Sequence, residues 1–230
     1  MSARHEGNDD WAEFLDRLVH DLREPLRSIN AFSEMLREVA KDRLGGEGDE
    51  ILREIFSGAM RMRTLVDAVS GYSVALRSTP DGLSPGSASL QSAFNITVAA
   101  LGDRIDASGA TVVGEGLPVV GAGLEQLMQL LENVIGNSLR FQGEQSPVVI
   151  VSAAPDAGGW SIQVEDNGIG LDQADCEAIF KPFMRVQGRR YPGAGMGLAI
   201  CRRIVEGRGG KIRMAPKPGG GAICTFTLPS

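Results

Sequence analysis

His20 is followed at once by Asp21 and, five residues after the histidine, by Pro25. A carboxylate beside an imidazole can orient the ring and can take its proton as a ring nitrogen attacks an electrophile. Leu18 and Leu22 fall in a stripe expected to be buried, and two residues of helix turn His20 about 200° away from Leu18, towards solvent. Pro25 removes one backbone hydrogen bond and bends the rod. A surface histidine near an unrelated proline would look the same from this segment alone. Further along, Asn133, Asn137 and Arg140 are spaced by four and three, so one helical face presents all three. Amide oxygens suit a hard cation such as Mg²⁺, which keeps several waters and binds mainly through phosphates. Arg140 would face those phosphates. Taken singly, an N-x-x-x-N is equally a solvated polar face.

Asp166 ends a strand-like run and precedes Asn167-Gly168-Ile169-Gly170. Two glycines after a carboxylate allow a flat ligand to approach, and Asp166 could accept a hydrogen bond from an adenine amino group; an ordinary turn has the same composition. The run Gly193-Ala194-Gly195-Met196-Gly197 opens a helical pattern, which places backbone N–H groups and the positive helix end at a phosphate. Its spacing is neither the dinucleotide-binding fingerprint nor a P-loop, since no Gly-Lys-Ser/Thr follows. Between the two glycine groups, Leu171 to Pro192 is expected to be a mobile lid carrying Phe180, Phe183, Arg185, Arg189 and Arg190, or else a flexible surface loop.

These groups need elements to hold them. From about Asp9 to Arg77 the pattern is helical, with apolar residues at Leu15, Leu18, Leu22, Leu26, Ile29, Phe32, Leu36 and Val39 and N-cap chemistry at Asn8, Asp9 and Asp10. Leu44 to Asp49 breaks the period with three glycines, and a second stripe runs through Ile51, Ile55, Ala59, Met62, Val66 and Val69. A lone helical hairpin buries one face of each helix, so two copies forming a four-helix bundle, a homodimer, is the expectation. Residues 78–87 have linker composition. Beyond them the pattern predicts helices over 91–105, 124–141 and 196–206. Strands are expected over 110–113, 148–153, 160–165, 211–215 and 222–228, with a turn over 155–159. That mixture predicts an α+β two-layer sandwich, a mostly antiparallel sheet covered by helices on one face. The expected domains are therefore a hairpin over 9–77 and a second unit over 88–230.

Composition narrows the classes. Apolar residues are 43% of the chain, ample for a core, and the net charge of −6 argues against a nucleic-acid partner, which needs clustered Lys and Arg. Cys176, Cys201 and Cys224 match no metal spacing and no disulfide framework, which suits a reducing, cytoplasmic setting. No run reaches the length of a membrane span, the N-terminus is not a signal peptide, and no sensing segment is read in the sequence.

Taken in order, these groups resemble the motifs of sensor histidine kinases of two-component systems. His20-Asp21-Leu22-Arg23-Glu24-Pro25-Leu26 is similar to their phosphoacceptor H box, in a form closest to phytochrome-type soluble kinases. Leu131 to Phe141 resembles the N box, Asp166 to Gly170 the first glycine box, Phe180 to Arg185 the F box and Gly193 to Ile200 the second glycine box. Gly209-Gly210-Lys211-Ile212 resembles the close of the last helix, so the likeness spans about Trp11 to Leu228.

The resemblance implies a phosphoacceptor hairpin followed by an ATP-binding domain of the GHKL (Bergerat-like) fold. His20 would attack the γ-phosphate of ATP with Asp21 as general base. Asn137, with Asn133, would hold Mg²⁺, Arg140 would contact phosphate and Asp166 the adenine. Gly168, Gly170, Gly193, Gly195 and Gly197 would shape the lid hinges and phosphate contacts, and Arg185 would reach the γ-phosphate on closure. The phosphoryl group would pass to an aspartate of a response-regulator receiver domain. Related ATPases carry a water-activating glutamate where Asn133 stands; here the glutamate is Glu132, about 100° away on the helix. Glu24 stands where the family usually has Thr or Asn, which puts phosphatase activity in doubt, and Ala122 replaces a frequent Asp. Two other readings share these residues: a docking protein that does not turn over ATP, and an ATP-independent phosphotransfer hairpin.

Overall fold

A computed structural model describes residues 2–40, 45–77, 86–186, 191 and 193–230, with side chains from residue 11 onward. The expected linker up to position 85, and Leu44, Arg189, Arg190 and Pro192, lie outside the described residues. The chain divides into two compact units, Met1–Arg77 and Ser78–Ser230.

The first unit is a pair of helices, α1 (Ser2–Val39) and α2 (Gly45–Arg77). Winding in α1 runs through Asn8, Asp9 and Asp10 instead of starting at them, and α2 begins at Gly45, ahead of the expected break's end at Asp49. Asp and Asn cost only tenths of a kcal/mol in a helix and glycine about 1 kcal/mol, penalties that a long packed helix outweighs. Pro25 sits inside α1.

The two helices pack through Ala12, Leu15, Val19 and Leu26 of α1, which meet Val66, Val69 and Tyr72 of α2. The sequence expectation placed Leu18 and Leu22 in this stripe. They are instead 40% and 42% exposed, because they lie to one side of the Val19 line. Between the helices the fully buried Ser73 hydroxyl lies 2.6 Å from Asp16 Oδ1 and 3.0 Å from the Ala12 carbonyl. The exposed Arg23–Asp67 pair, at 3.0 Å, contributes little in high dielectric.

The second unit starts with β1 (Ala88–Ser89), α3 (Leu90–Ala100), α4 (Gly102–Ser108), β2 (Thr111–Val113) and β3 (Val119–Val120). It continues with α5 (Leu124–Arg140), β4 (Val148–Asp156), β5 (Gly159–Asp166), α6 (Gly197–Gly207), β6 (Ile212–Pro216) and β7 (Ala222–Pro229). The main sheet has the order β2-β4-β5-β7-β6. All its pairs are antiparallel except β2–β4, which is parallel and needs the crossover through α5. A two-residue ribbon pairs β1 with β3, elements too short to leave a period in the sequence.

Two expectations change in detail. The helix predicted over 91–105 breaks at the buried Leu101, and α4 sets off in a new direction from Gly102. The turn predicted over 155–159 shrinks to Ala157-Gly158, since β4 and β5 pair as far as Asp156 and Gly159. Pro155 is tolerated in β4 because β2 pairs only with residues 148–150, leaving an edge beyond.

The core follows from two periods. On α5 Leu127, Leu130, Leu131, Val134, Ile135, Ser138 and Leu139 are buried, an unbroken 3.6-residue stripe. On the strands alternate residues are buried: Val149 and Val151, Ile162 and Val164, Cys224, Phe226 and Leu228. The stripe on α5 and the buried stripe of α6 lie against this face and support the strand ends that carry Asp166 and the helix start at Gly197. Phe226 is the largest fully buried side chain. Phe226→Ala should therefore cost about 3–5 kcal/mol. Urea unfolding followed by circular dichroism and Trp160 fluorescence will read this as a lower midpoint.

Candidate functional site

The helical unit contributes one chemical pair. His20 Nδ1 lies 3.2 Å from Asp21 Oδ1, and the side chains are 83% and 79% exposed. The solvent-facing imidazole expected from the sequence is thus found, and it carries its own carboxylate. The contact favours a proton on Nδ1 and leaves the Nε2 lone pair outward.

In the sheet unit the residues singled out on α5 lie together with both glycine groups. Asp166, at the end of β5, accepts from three donors: Gly168 N–H (2.9 Å) and Ala222 N–H (3.0 Å) on Oδ1, and the Ser138 hydroxyl (3.1 Å) on Oδ2. A carboxylate has about four lone-pair directions, so one remains for a further donor. Asn167 fastens the same loop: it accepts from Val148 N–H at 2.7 Å and donates to the Ser146 carbonyl at 3.0 Å. Gly168 borders this carboxylate and packs on the Phe141 carbonyl at the end of α5, and Gly170 packs on the Gly221 backbone.

On α5, Asn133 Nδ2 donates to the Gln129 carbonyl at 2.9 Å, which turns Oδ1 towards the start of α6. A Cβ at Gly197 would lie 2.5 Å from that oxygen, so any larger residue would displace the Asn133 amide. Glu132, one residue earlier, is exposed and points elsewhere. The Asn137 oxygen is 3.5 Å from Arg140 Nη1, a long contact. Arg140 Nη1 in turn fills the space a Cβ at Gly193 would need, at 2.9 Å. Gly195 packs against the backbone of Phe183 and Met184 and against the Arg185 side chain. Arg185 donates to the Tyr191 carbonyl, and the Tyr191 ring meets Phe141 edge-on at 4.9 Å.

The electrostatics agree with this convergence. Burial, then the charges of Arg104 and Arg185, lower the Arg140 pKa. Among the described residues no carboxylate lies within 4 Å of any of the three. An anion is the natural complement of such a group.

The segment read as a lid holds two single-turn 3₁₀ helices, Gln173–Asp175 and Ala178–Phe180. Phe180 is buried under the Arg202 guanidinium, 4.4 Å from the ring centroid, and Arg202 pairs with Glu177 at 2.7 Å. Phe183 is exposed and holds a positive φ of 62°. Arg104, Ser138 and the Ala222 N–H were not picked out from the sequence. Ser138 breaks the apolar stripe of α5 with a buried hydroxyl and could have been noticed; Arg104 left no sequence signal.

Comparison with known proteins follows the two units. The model of the His Kinase A (phospho-acceptor) domain matches residues 10–73, and that of the histidine kinase-, DNA gyrase B-, and HSP90-like ATPases matches residues 123–230. Cyanobacterial phytochrome A of Nostoc sp. is 35% identical over 96% of this chain. The phytochrome-like protein Cph1 of Synechocystis sp. is 32% identical over 96%. The chain spans 29% of the length of each of these relatives. The crystal structure of full-length ShkA, 23% identical, shares the fold with a TM-score of 0.72 over 95% of this chain and 46% of its own. No helix among the described residues is long and apolar enough to cross a membrane.

All three cysteines are buried. Burial, with the nearby Asp166 charge, pushes the Cys224 thiol up to about 12, and burial raises Cys201 as well. A thiol whose folded value is raised stabilises the fold below its ordinary value near 9, and that stability is lost as pH rises towards about 12. Maleimide at pH 8 should therefore leave Cys201 and Cys224 unmodified until urea opens the sheet unit, and the urea midpoint should fall between pH 9 and 11.

Proposed function

The chain belongs to the histidine kinases, its helical unit to the phosphoacceptor family and its sheet unit to the histidine kinase-, DNA gyrase B- and HSP90-like ATPases, and we propose that it is an ATP-dependent autokinase that phosphorylates His20. The observation that carries this reading is the glycine turn opening α6. Arg140 is packed against it and Arg185 stands beside it, with no carboxylate within 4 Å among the described residues. The fold relative ShkA was solved in complex with AMPPNP, which supports a nucleotide in the same kind of site.

The residues divide the work. Asp166 has one acceptor direction left after its three hydrogen bonds, enough for the amino group of adenine. Arg140, Arg185 and the backbone N–H groups at Gly195 to Gly197 take the phosphates. The donor set fits Mg²⁺: Asn133 and Asn137 offer neutral amide oxygens, suited to an ion that keeps its waters and binds chiefly through phosphate. The ion would neutralise phosphate charge. In transfer, His20 Nε2 donates its lone pair to the γ-phosphorus as the bond to the β,γ-bridging oxygen breaks and ADP leaves. The proton on Nδ1 passes to Asp21, 3.2 Å away. Positioning and charge stabilisation supply most of the acceleration in such reactions. With Asn133 in place of a carboxylate, no general base stands at that position to activate water, which suits an enzyme that must keep ATP for a histidine.

The phosphohistidine would donate to an aspartate of a response-regulator receiver domain, and Glu24, in place of Thr or Asn, leaves hydrolysis of that phosphoaspartate unsupported. The active form is a homodimer. Trp11, Leu18, Leu22, Ile29, Phe32 and Leu36 leave a second apolar face open on α1, at heptad-like spacing. A second copy of the hairpin would bury that face in a four-helix bundle. The cysteine usage suits the cytoplasm.

Incubated with γ-labelled ATP and Mg²⁺, the chain should acquire acid-labile label that is absent from His20→Ala and Asn137→Ala. Label surviving in His20→Ala would place the acceptor elsewhere and end this reading. Bound ATP without any label would favour a docking protein. Sedimentation should show a dimer, and Leu18→Glu with Leu22→Glu should yield a monomer that still binds nucleotide.

A further inference from the structure

We infer that Arg104, on α4, is a positioning residue for the phosphates. Anchored on the Gly136 carbonyl, one helical turn before Arg140, it adds a third positive charge beside the Gly193 turn and so favours phosphate there. The inference rests on the nucleotide reading above and deepens it. Because the helix breaks at Leu101, α4 runs beside α5, and Arg104 Nη2 donates to the Gly136 carbonyl at 2.9 Å. That carbonyl lies between Asn133 and Asn137 along the helix. The approach is close: a Cβ on Gly136 would lie 3.3 Å from Arg104 Nη1. In front, Arg140 Nη1 meets the bare Cα side of Gly193. Arg104 and Arg140 thus flank the same turn of α5, one on the Gly136 carbonyl and the other on the glycine turn.

Two further facts make this more than a surface contact. Arg104 has no carboxylate within 4 Å among the described residues, although the chain carries 29 acidic residues against 23 basic ones. Its charge also acts on Arg140, where it is the second cause, after burial, of a lowered pKa. Like charges left close together without counter-ions in an acidic protein favour any ligand that brings several negative charges. A triphosphate gains more than a diphosphate, and a nucleoside gains nothing. The Arg104 side chain is solvent-exposed, so salt must weaken the effect.

The test compares binding of ATP, ADP and adenosine to the full chain by calorimetry at low and physiological salt, for the parent, Arg104→Gln and Arg104→Lys. Arg104→Gln should weaken ATP about three- to fivefold at low salt, ADP less and adenosine not at all, with the difference shrinking as salt rises. Arg104→Lys should recover most of the loss. In autophosphorylation, KM for ATP should rise with kcat nearly unchanged. Equal weakening of all three ligands, or no change in ATP at low salt, overturns the inference; so does an Arg104→Lys variant as impaired as Arg104→Gln. A parent chain that binds no ATP would instead overturn the nucleotide reading itself.

Discussion

At the end of β5 one carboxylate joins three parts of the sheet unit that are far apart in sequence. Asp166 takes the Ser138 hydroxyl from α5, the Gly168 N–H of its own loop and the Ala222 N–H at the start of β7. Hydrogen bonds to an ionised acceptor are about twice as strong as neutral ones, and a half-buried carboxylate that lost them would be costly to keep charged. Helix, loop and strand are therefore held in one arrangement. The glycine loop, the Asn face of α5 and the strand ends sit where they do because this group is satisfied. The cost of that arrangement falls on the neighbours: Gly168 must pass the Phe141 carbonyl and Cys224 must remain a neutral thiol.

The glycine turn before α6, by contrast, is positive. Arg140 and Arg185 reach it from α5 and from the segment between the glycine groups, and Arg104, on α4, bonds the Gly136 carbonyl of α5. The chain as a whole is acidic, so this polarity is local and set by packing. Gly193 and Gly197 make it possible by letting Arg140 and Asn133 close on the start of α6, where helix N–H groups already favour an anion. The carboxylate and the guanidinium groups both border α5, the first bonded to Ser138 and the others gathered at Gly193 and Gly195.

The helical unit follows a different constraint. A helix in a hairpin has one partner, yet α1 carries apolar residues on two sides. One line, Ala12, Leu15, Val19 and Leu26, is buried against α2; the other, including Leu18, Leu22 and Phe32, is left open. Phe32 is 68% exposed, an expensive position for a ring in water. His20 lies off both lines, which is why its imidazole can face solvent beside Asp21.

Much of this was legible in the residues alone. The 3.6 period of α5 and the alternation along β4, β5 and β7 follow from residue type, because burying one face of a helix or sheet demands that pattern, and the structure agrees with both. The motif residues could be named for the same local reason: His20 next to Asp21, the Asn-Asn-Arg face, and glycines at a strand end and a helix start. Other features depend on partners distant in sequence. Which of the apolar lines of α1 meets α2 is a choice of rotation that Leu18 and Val19 cannot express by type; within one hairpin it leaves Leu18 and Leu22 outside the contact with α2. The break at Leu101, the parallel β2–β4 pair and the two-residue ribbon of β1 and β3 leave no periodic trace. Arg104 reads as an ordinary surface arginine until α4 turns and brings it to Gly136. The sequence by itself determined which side chains could do chemistry and which elements carry them, since both depend on neighbours three or four residues away. The tertiary structure alone decided which charges meet, because electrostatic contact depends on distance in space, set here by packing between helices many residues apart.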